Sequence, residues 1–132
     1  MDSDEGKNNA NSDASVQVML IENDHNLAAL LCDELHSSGY QVHLFKEGGL
    51  AIAAIERLNP DIVVIDLMLE SGITGWDIIS KIKKTDLLLN KPIIISSAFE
   101  EKEKAAQWGI KEFLVKPYLP GRLSAVITRM LR

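Results

Sequence analysis

Four places in the chain put a chemically loaded residue at the end of an apolar run. Glu22, Asn23 and Asp24 follow "VMLI", Asp66 follows "IVVI", Ser96 and Ser97 follow "III", and Lys116 follows "FLV". Clustered carboxylates repel one another unless a cation joins them, and an all-oxygen set suits Mg2+, which takes only one or two protein carboxylates and keeps waters. A lysine beside such a site is idle without an anion, and phosphate supplies one. Phosphoryl transfer asks little of a protein beyond an in-line nucleophile, a metal on the phosphate oxygens and donors for the spreading charge. Asp66 suits the nucleophile, because a carboxylate can form an aspartyl phosphate. Lys116 then pairs with the phosphoryl group and Ser97 donates a hydrogen bond to it.

These residues act together only if the fold gathers them, and the pattern around them shows how it can. From Val16 onward two element types alternate. Strand-like "VQVMLI" leads to "DHNLAALLCDELHSSG", in which Leu27, Leu30, Leu31 and Leu35 have helical spacing, Asp24 is a candidate N-cap and Gly39 a stop. "QVHLF" alternates in part, as an edge strand does, and "GLAIAAIERL" puts Ala51, Ala54, Ile55 and Leu58 on one helical face before Asn59-Pro60 closes it. "IVVI" and "PIIIS" read as buried strands, with helical "GWDIISKIKK" between them turning Trp76, Ile79 and Ile82 or Ile78 inward. The helix "EEKEKAAQW", the short strand "EFLV" and a final helix within "LPGRLSAVITRMLR" complete the chain; the last carries Leu119, Leu123, Val126, Ile127 and Met130 on one stripe. Five strands alternating with five helices predict an α/β, doubly wound, five-stranded parallel sheet built from right-handed βαβ units and covered on both faces. In such a sheet ligands bind beyond the carboxyl ends of the strands, where strand order reverses, and all four loaded positions stand at those ends.

Composition narrows the function classes. The 132 residues, 46% of them hydrophobic, suit one domain able to bury more than about 60% of its unfolded surface. A net charge of -5 offers no basic face for nucleic acid or anionic membrane, so proteins and small ions are the expected partners. The single cysteine, Cys32, forms no internal disulfide, no signal peptide pattern is present, and the apolar runs fall far short of the roughly 20 residues of a membrane helix, which together predict a cytoplasmic protein. Residues 1–15, "MDSDEGKNNANSDAS", hold no large apolar side chain beyond Met1 and read as a flexible tail or linker; residues 16–132 form the domain.

The segments "MLIEND", "PDIVVIDLMLESGITGW", "PIIISSA" and "GIKEFLVKPY", in this order and at this spacing, resemble the receiver domain of bacterial two-component signalling, the response regulator family. The resemblance covers Val16 to Arg132. It implies a flavodoxin-like (CheY-like) sheet in the order 2-1-3-4-5 and phosphorylation of Asp66 by a histidine kinase or histidine phosphotransfer protein. It further implies Mg2+ held by Glu22, Asn23, Asp66 and Met68, and Lys116 and Ser97 as the other catalytic groups. Ser97 and Phe113 take the places of the family's switch pair, Met68 and Phe99 those that tune phosphoryl lifetime, and Lys116-Pro117 is expected to be cis. Output would pass through the face of helix 4, strand 5 and helix 5. Such a domain is no enzyme acting on a separate substrate; it catalyses its own phosphorylation and slow dephosphorylation.

Three departures from the family pattern stand out. Asn23 occupies the place of a metal-binding aspartate, the loop after Asp66 is one residue longer before Gly75, and Met68 and Phe99 are both apolar. Asn23 keeps a second reading open, a pseudo-receiver that binds partners without taking phosphate. A phosphatase of the haloacid-dehalogenase type would need a second Asp where Met68 stands, and a flavodoxin-type cofactor protein would need a Ser/Thr-rich loop after the first strand. The dimer-forming family members carry an arginine where Val126 stands and an acidic pair where Lys111-Glu112 stands, so a monomer is expected. His25, His36 and His43 are scattered and read as solvated, Cys32 as a small core residue, Trp76 and Trp108 as packing anchors, and the "EEKEK" run as a solvated helix face.

Overall fold

The computed structural model describes residues 15–70 and 72–132; the expected tail, but for Ser15, lies outside the described residues. Its elements are β1 (Gln17–Ile21), α1 (His25–Ser37), β2 (Gln41–Phe45), α2 (Gly48–Leu58), β3 (Ile62–Ile65), α3 (Gly75–Lys83), β4 (Ile93–Ser97), α4 (Lys102–Gln107), β5 (Glu112–Val115) and α5 (Arg122–Met130). The strands are parallel and ordered β2-β1-β3-β4-β5, as predicted, so β2 is indeed an edge strand.

Successive side chains on a strand point to opposite faces, and here both faces are covered. Val18, Leu20, Ile62, Val64 and Ile94 meet Leu31 and Leu35 of α1 and Leu123, Val126 and Ile127 of α5. Met19, Ile21, Val63, Ile65, Ile93 and Ile95 meet α2, α3 and α4 through residues such as Ile55, Ile79 and Ala105. This double burial is why the central strands read as unbroken apolar runs. At the end of α2 Asn59 adopts the left-handed conformation, φ 46°, which terminates the helix before Pro60.

The structure corrects several expectations about faces. Leu30 is 66% exposed, because the buried stripe of α1 is Ala28, Leu31 and Leu35 and Leu30 lies about 100° round the helix from Leu31. Leu119, placed on the stripe of the last helix, is 78% exposed: Pro120 disfavours helix at the preceding residue, Gly121 sits at φ 88°, and α5 starts only at Arg122. The fourth helix likewise begins at Lys102 rather than within the preceding glutamates. The charged run is not wholly solvent-facing either, since the Lys104 ammonium lies 4.6 Å from the centre of the half-buried Trp76 ring. His43 is half-buried and hydrogen-bonded to Gln17, while Cys32 and both tryptophans pack against the cores as expected. No helix among the described residues is long and apolar enough to cross a membrane.

Candidate functional site

β1 and β3 are neighbours in the sheet, but their connections leave on opposite sides: β1 leads to α1 on one face and β3 to α3 on the other. A crevice opens at the carboxyl ends where they part. Glu22, Asp66 and Lys116 sit one position past their strand ends, Ser97 is the last residue of β4, and the backbones of all four still belong to the ladder. Glu22 N–H donates to Phe45 O at 3.0 Å, Asp66 N–H to Ile21 O at 2.9 Å, and Lys116 N–H to Ser97 O at 2.8 Å. Each functional side chain therefore leaves a backbone that the sheet holds rigid.

The geometry beyond those rungs is compact. Lys116 Nζ donates to Asp66 Oδ2 at 3.0 Å and lies 2.8 Å from Glu22 Oε1. Asp66 Oδ1 accepts the Met68 N–H at 3.0 Å, and Glu22 Oε2 accepts the Asp24 N–H at 3.1 Å. Both carboxylates are almost fully buried, Glu22 1% and Asp66 4% exposed. Burial pushes the Glu22 carboxyl above the usual carboxylate range, against the pull of its hydrogen bond from Lys116. Burial would likewise depress the Lys116 ammonium, but the hydrogen bonds to Glu22 and Asp66 outweigh it and hold the ammonium above its ordinary value. Lys116 is therefore not idle before a phosphoryl anion arrives, because the two carboxylates already engage it.

Glu22, Asn23, Asp24, Asp66, Met68, Ala98, Phe99 and Lys116 line an open cleft of about 330 Å3. Asp24 is partly committed elsewhere, because its Oδ1 caps α1 by accepting the Leu27 N–H at 3.0 Å. Met68 and Phe99 stand at the mouth, 57% and 52% exposed. Ser97 is fully buried, and its Oγ accepts the Phe99 N–H at 3.2 Å, which leaves its own O–H free to donate. Phe113 does not belong to the cleft; it packs partly buried against the α2, α3 and α4 side of the core and borders a groove between α4 and α5. Lys116-Pro117 is cis, as the family resemblance implies.

The entry of α3 approaches Asp66 from behind. Gly75 N–H donates to Leu67 O at 3.1 Å, and a Cβ at Gly75 would stand 2.5 Å from the Asp66 carbonyl oxygen and 2.8 Å from Leu67 Cα. Only glycine allows that approach. Next to it, Thr74 and Asp77 form a reciprocal capping box that starts the helix. In the sequence Gly75 marks only the length of the loop after Asp66, since no local pattern encodes a contact nine residues back.

The donors present fit a magnesium ion. Two buried carboxylates share one ammonium, which leaves one negative charge uncovered, and the available atoms are oxygens: Glu22, Asp66, the Asn23 amide and the Met68 backbone carbonyl. The Met68 thioether is too soft to serve.

A family model for the response regulator receiver domain matches residues 18–128. The sensory transduction protein RegX3 of Mycolicibacterium smegmatis is 30% identical over 118 residues, covering 87% of this chain and 50% of that protein. The solved signal receiver domain of a LuxO repressor protein from Vibrio parahaemolyticus is 27% identical with a TM-score of 0.80, covering 89% of this chain and 90% of that one. The receiver domain of a sensor histidine kinase from Pseudomonas aeruginosa, solved with a magnesium ion coordinated in its active-site cleft, is 24% identical with a TM-score of 0.77, covering 88% of this chain and 97% of that one. The chain belongs to the response regulator receiver family of two-component systems. It spans about half the length of the curated relatives it matches.

Proposed function

We propose that the domain takes a phosphoryl group onto Asp66 from a histidine kinase or histidine phosphotransfer protein and changes a partner-binding surface in response. The observation that carries this reading is the placement of a buried carboxylate at a sheet switch point with one oxygen on an ammonium and the other on a backbone N–H. A bond forms between an Asp66 carboxylate oxygen and phosphorus as the bond from phosphorus to the donor's histidine nitrogen breaks. The Lys116 ammonium, now held by Glu22 and Asp66, meets the charge spreading over the phosphoryl oxygens. Ser97 has a free O–H to donate to the same group. Glu22, Asn23, Asp66 and the Met68 backbone carbonyl would hold Mg2+, which when bound supplies the remaining positive charge on the phosphoryl oxygens. The magnesium in the Pseudomonas receiver domain supports that assignment by analogy.

The neutral amide of Asn23 weakens the metal's hold without removing an oxygen donor. Turnover of a separate substrate plays no part; the domain phosphorylates itself and loses the group slowly. The surface of α4, β5 and α5, which Phe113 borders, passes the signal to an effector. Incubation with acetyl phosphate and Mg2+ should raise the intact mass by one phosphoryl unit in the wild type and not in Asp66→Asn. A wild type that gains nothing would make the domain a phosphate-independent binding module instead.

A further inference from the structure

The hydroxyls of Ser96 and Tyr118 lie 2.9 Å apart. Ser96 is 1% exposed and stands two residues after Ile94, so it points to the α1 and α5 side of the sheet, where Tyr118 also packs. An apolar side chain would serve a buried strand position as well, whereas a buried hydroxyl destabilises the fold unless it finds a partner. The hydroxyl at Ser96 therefore has a use that packing does not explain. Burial raises the Tyr118 phenol above its ordinary value, so it remains a neutral hydrogen-bonding group at neutral pH.

The use lies in what the two residues flank. Lys116 N–H to Ser97 O is the last backbone rung between β4 and β5, and Pro117 has no N–H with which to continue the ladder. One residue on, the Tyr118 side chain supplies a tie to β4 that the backbone cannot. Further along, the Glu34 carboxylate of α1 accepts the N–H groups of Gly121 at 2.9 Å and Ser124 at 2.8 Å, anchoring the far end of the same segment, where α5 starts, to α1. The Lys116 ammonium reaches Glu22 and Asp66 from the near end.

We propose that Ser96 and Tyr118 are positioning residues for phosphoryl transfer: their hydrogen bond holds the segment after β5 so that the Lys116 ammonium stands at Asp66. The inference rests on Asp66 being the phosphoacceptor. Neither residue touches the cleft, so their effect passes through the backbone on either side of Pro117.

The test compares wild type, Ser96→Ala, Tyr118→Phe, the double variant and Ser96→Thr, each phosphorylated by acetyl phosphate at saturating Mg2+, with thermal midpoints recorded alongside. Tyr118→Phe keeps the ring and removes one oxygen, so the packing survives. Each single variant should lose about tenfold in the maximal rate with the half-saturating donor concentration unchanged, as a displaced catalytic group does. The double variant should lose no more than either single, because one shared bond is removed only once. Ser96→Thr, which keeps the hydroxyl, should stay near the wild-type rate. Single variants that phosphorylate at the wild-type rate, or losses that multiply in the double, would overturn the positioning role while leaving Asp66 as acceptor. A wild type that takes no phosphate would overturn both.

Discussion

Glu22 is an expensive residue in the absence of metal. Its carboxyl is 1% exposed and held above its ordinary value of 4.5, chiefly by burial, so the folded chain binds this proton more tightly than the unfolded chain does. Its contribution to stability is complete below pH 4.5 and is lost as the pH rises through the folded value. With a chelator present, Glu22→Gln should therefore unfold at a higher temperature than wild type at pH 7, and the gap should close as the pH falls towards 4.5. A gap that stays constant over that range would mean the carboxyl is not strained by burial. At the mouth of the cleft, Met68 and Phe99 offer no group that could orient a water in line with a phosphoryl group on Asp66. Phe99→Glu combined with Met68→Asn should shorten the lifetime of the phosphorylated protein several-fold, measured as phosphate loss from purified material. Equal rates would show that the half-exposed side chains leave the water path open.

Gly75 ties the helix entry to the nucleophile's own backbone. Gly75→Ala would force its Cβ against the Asp66 carbonyl oxygen and Leu67 Cα, both backbone atoms that cannot swing aside, so a loss of about 1–3 kcal/mol in stability and a slower phosphorylation are expected together. Denaturant titration and the acetyl phosphate rate check the pair; a normal midpoint with a normal rate would show that the loop yields. The strands were readable in the sequence because burial on both faces writes them as apolar runs, and the loaded residues were readable because they interrupt those runs at the end. Helix faces were less so. Leu30 and Leu119 fit an apolar stripe by spacing, but the stripe of α1 is narrow and Pro120 delays α5, which leaves both leucines in solvent. The capping of α5 by Glu34, 87 residues before Gly121, has no local signal beyond the lack of a capping side chain at Gly121 itself. The Ser96–Tyr118 bond and the Lys104–Trp76 contact are likewise long-range pairings that periodicity does not encode.

The fold gathers Glu22, Asp66 and Lys116, three residues that lie 44 and 50 positions apart along the chain, because parallel strands bring every carboxyl end to one edge of the sheet. Sequence spacing alone predicted that gathering, while the partition of charge within it came from the structure: Lys116 bridges both carboxylates, and one negative charge is left for a cation. Phe113 stays apart from that cluster, packed on the α2, α3 and α4 side of the core at the groove between α4 and α5. All of this turns on one carboxylate being the acceptor. The direct measurement is to phosphorylate the protein with acetyl phosphate and Mg2+, reduce it with borohydride, which converts an acyl phosphate to an alcohol, and locate the converted residue by peptide mass. The account predicts homoserine at position 66 and nowhere else. Conversion at Glu22 or Asp24, or none in protein whose intact mass has risen, would contradict it.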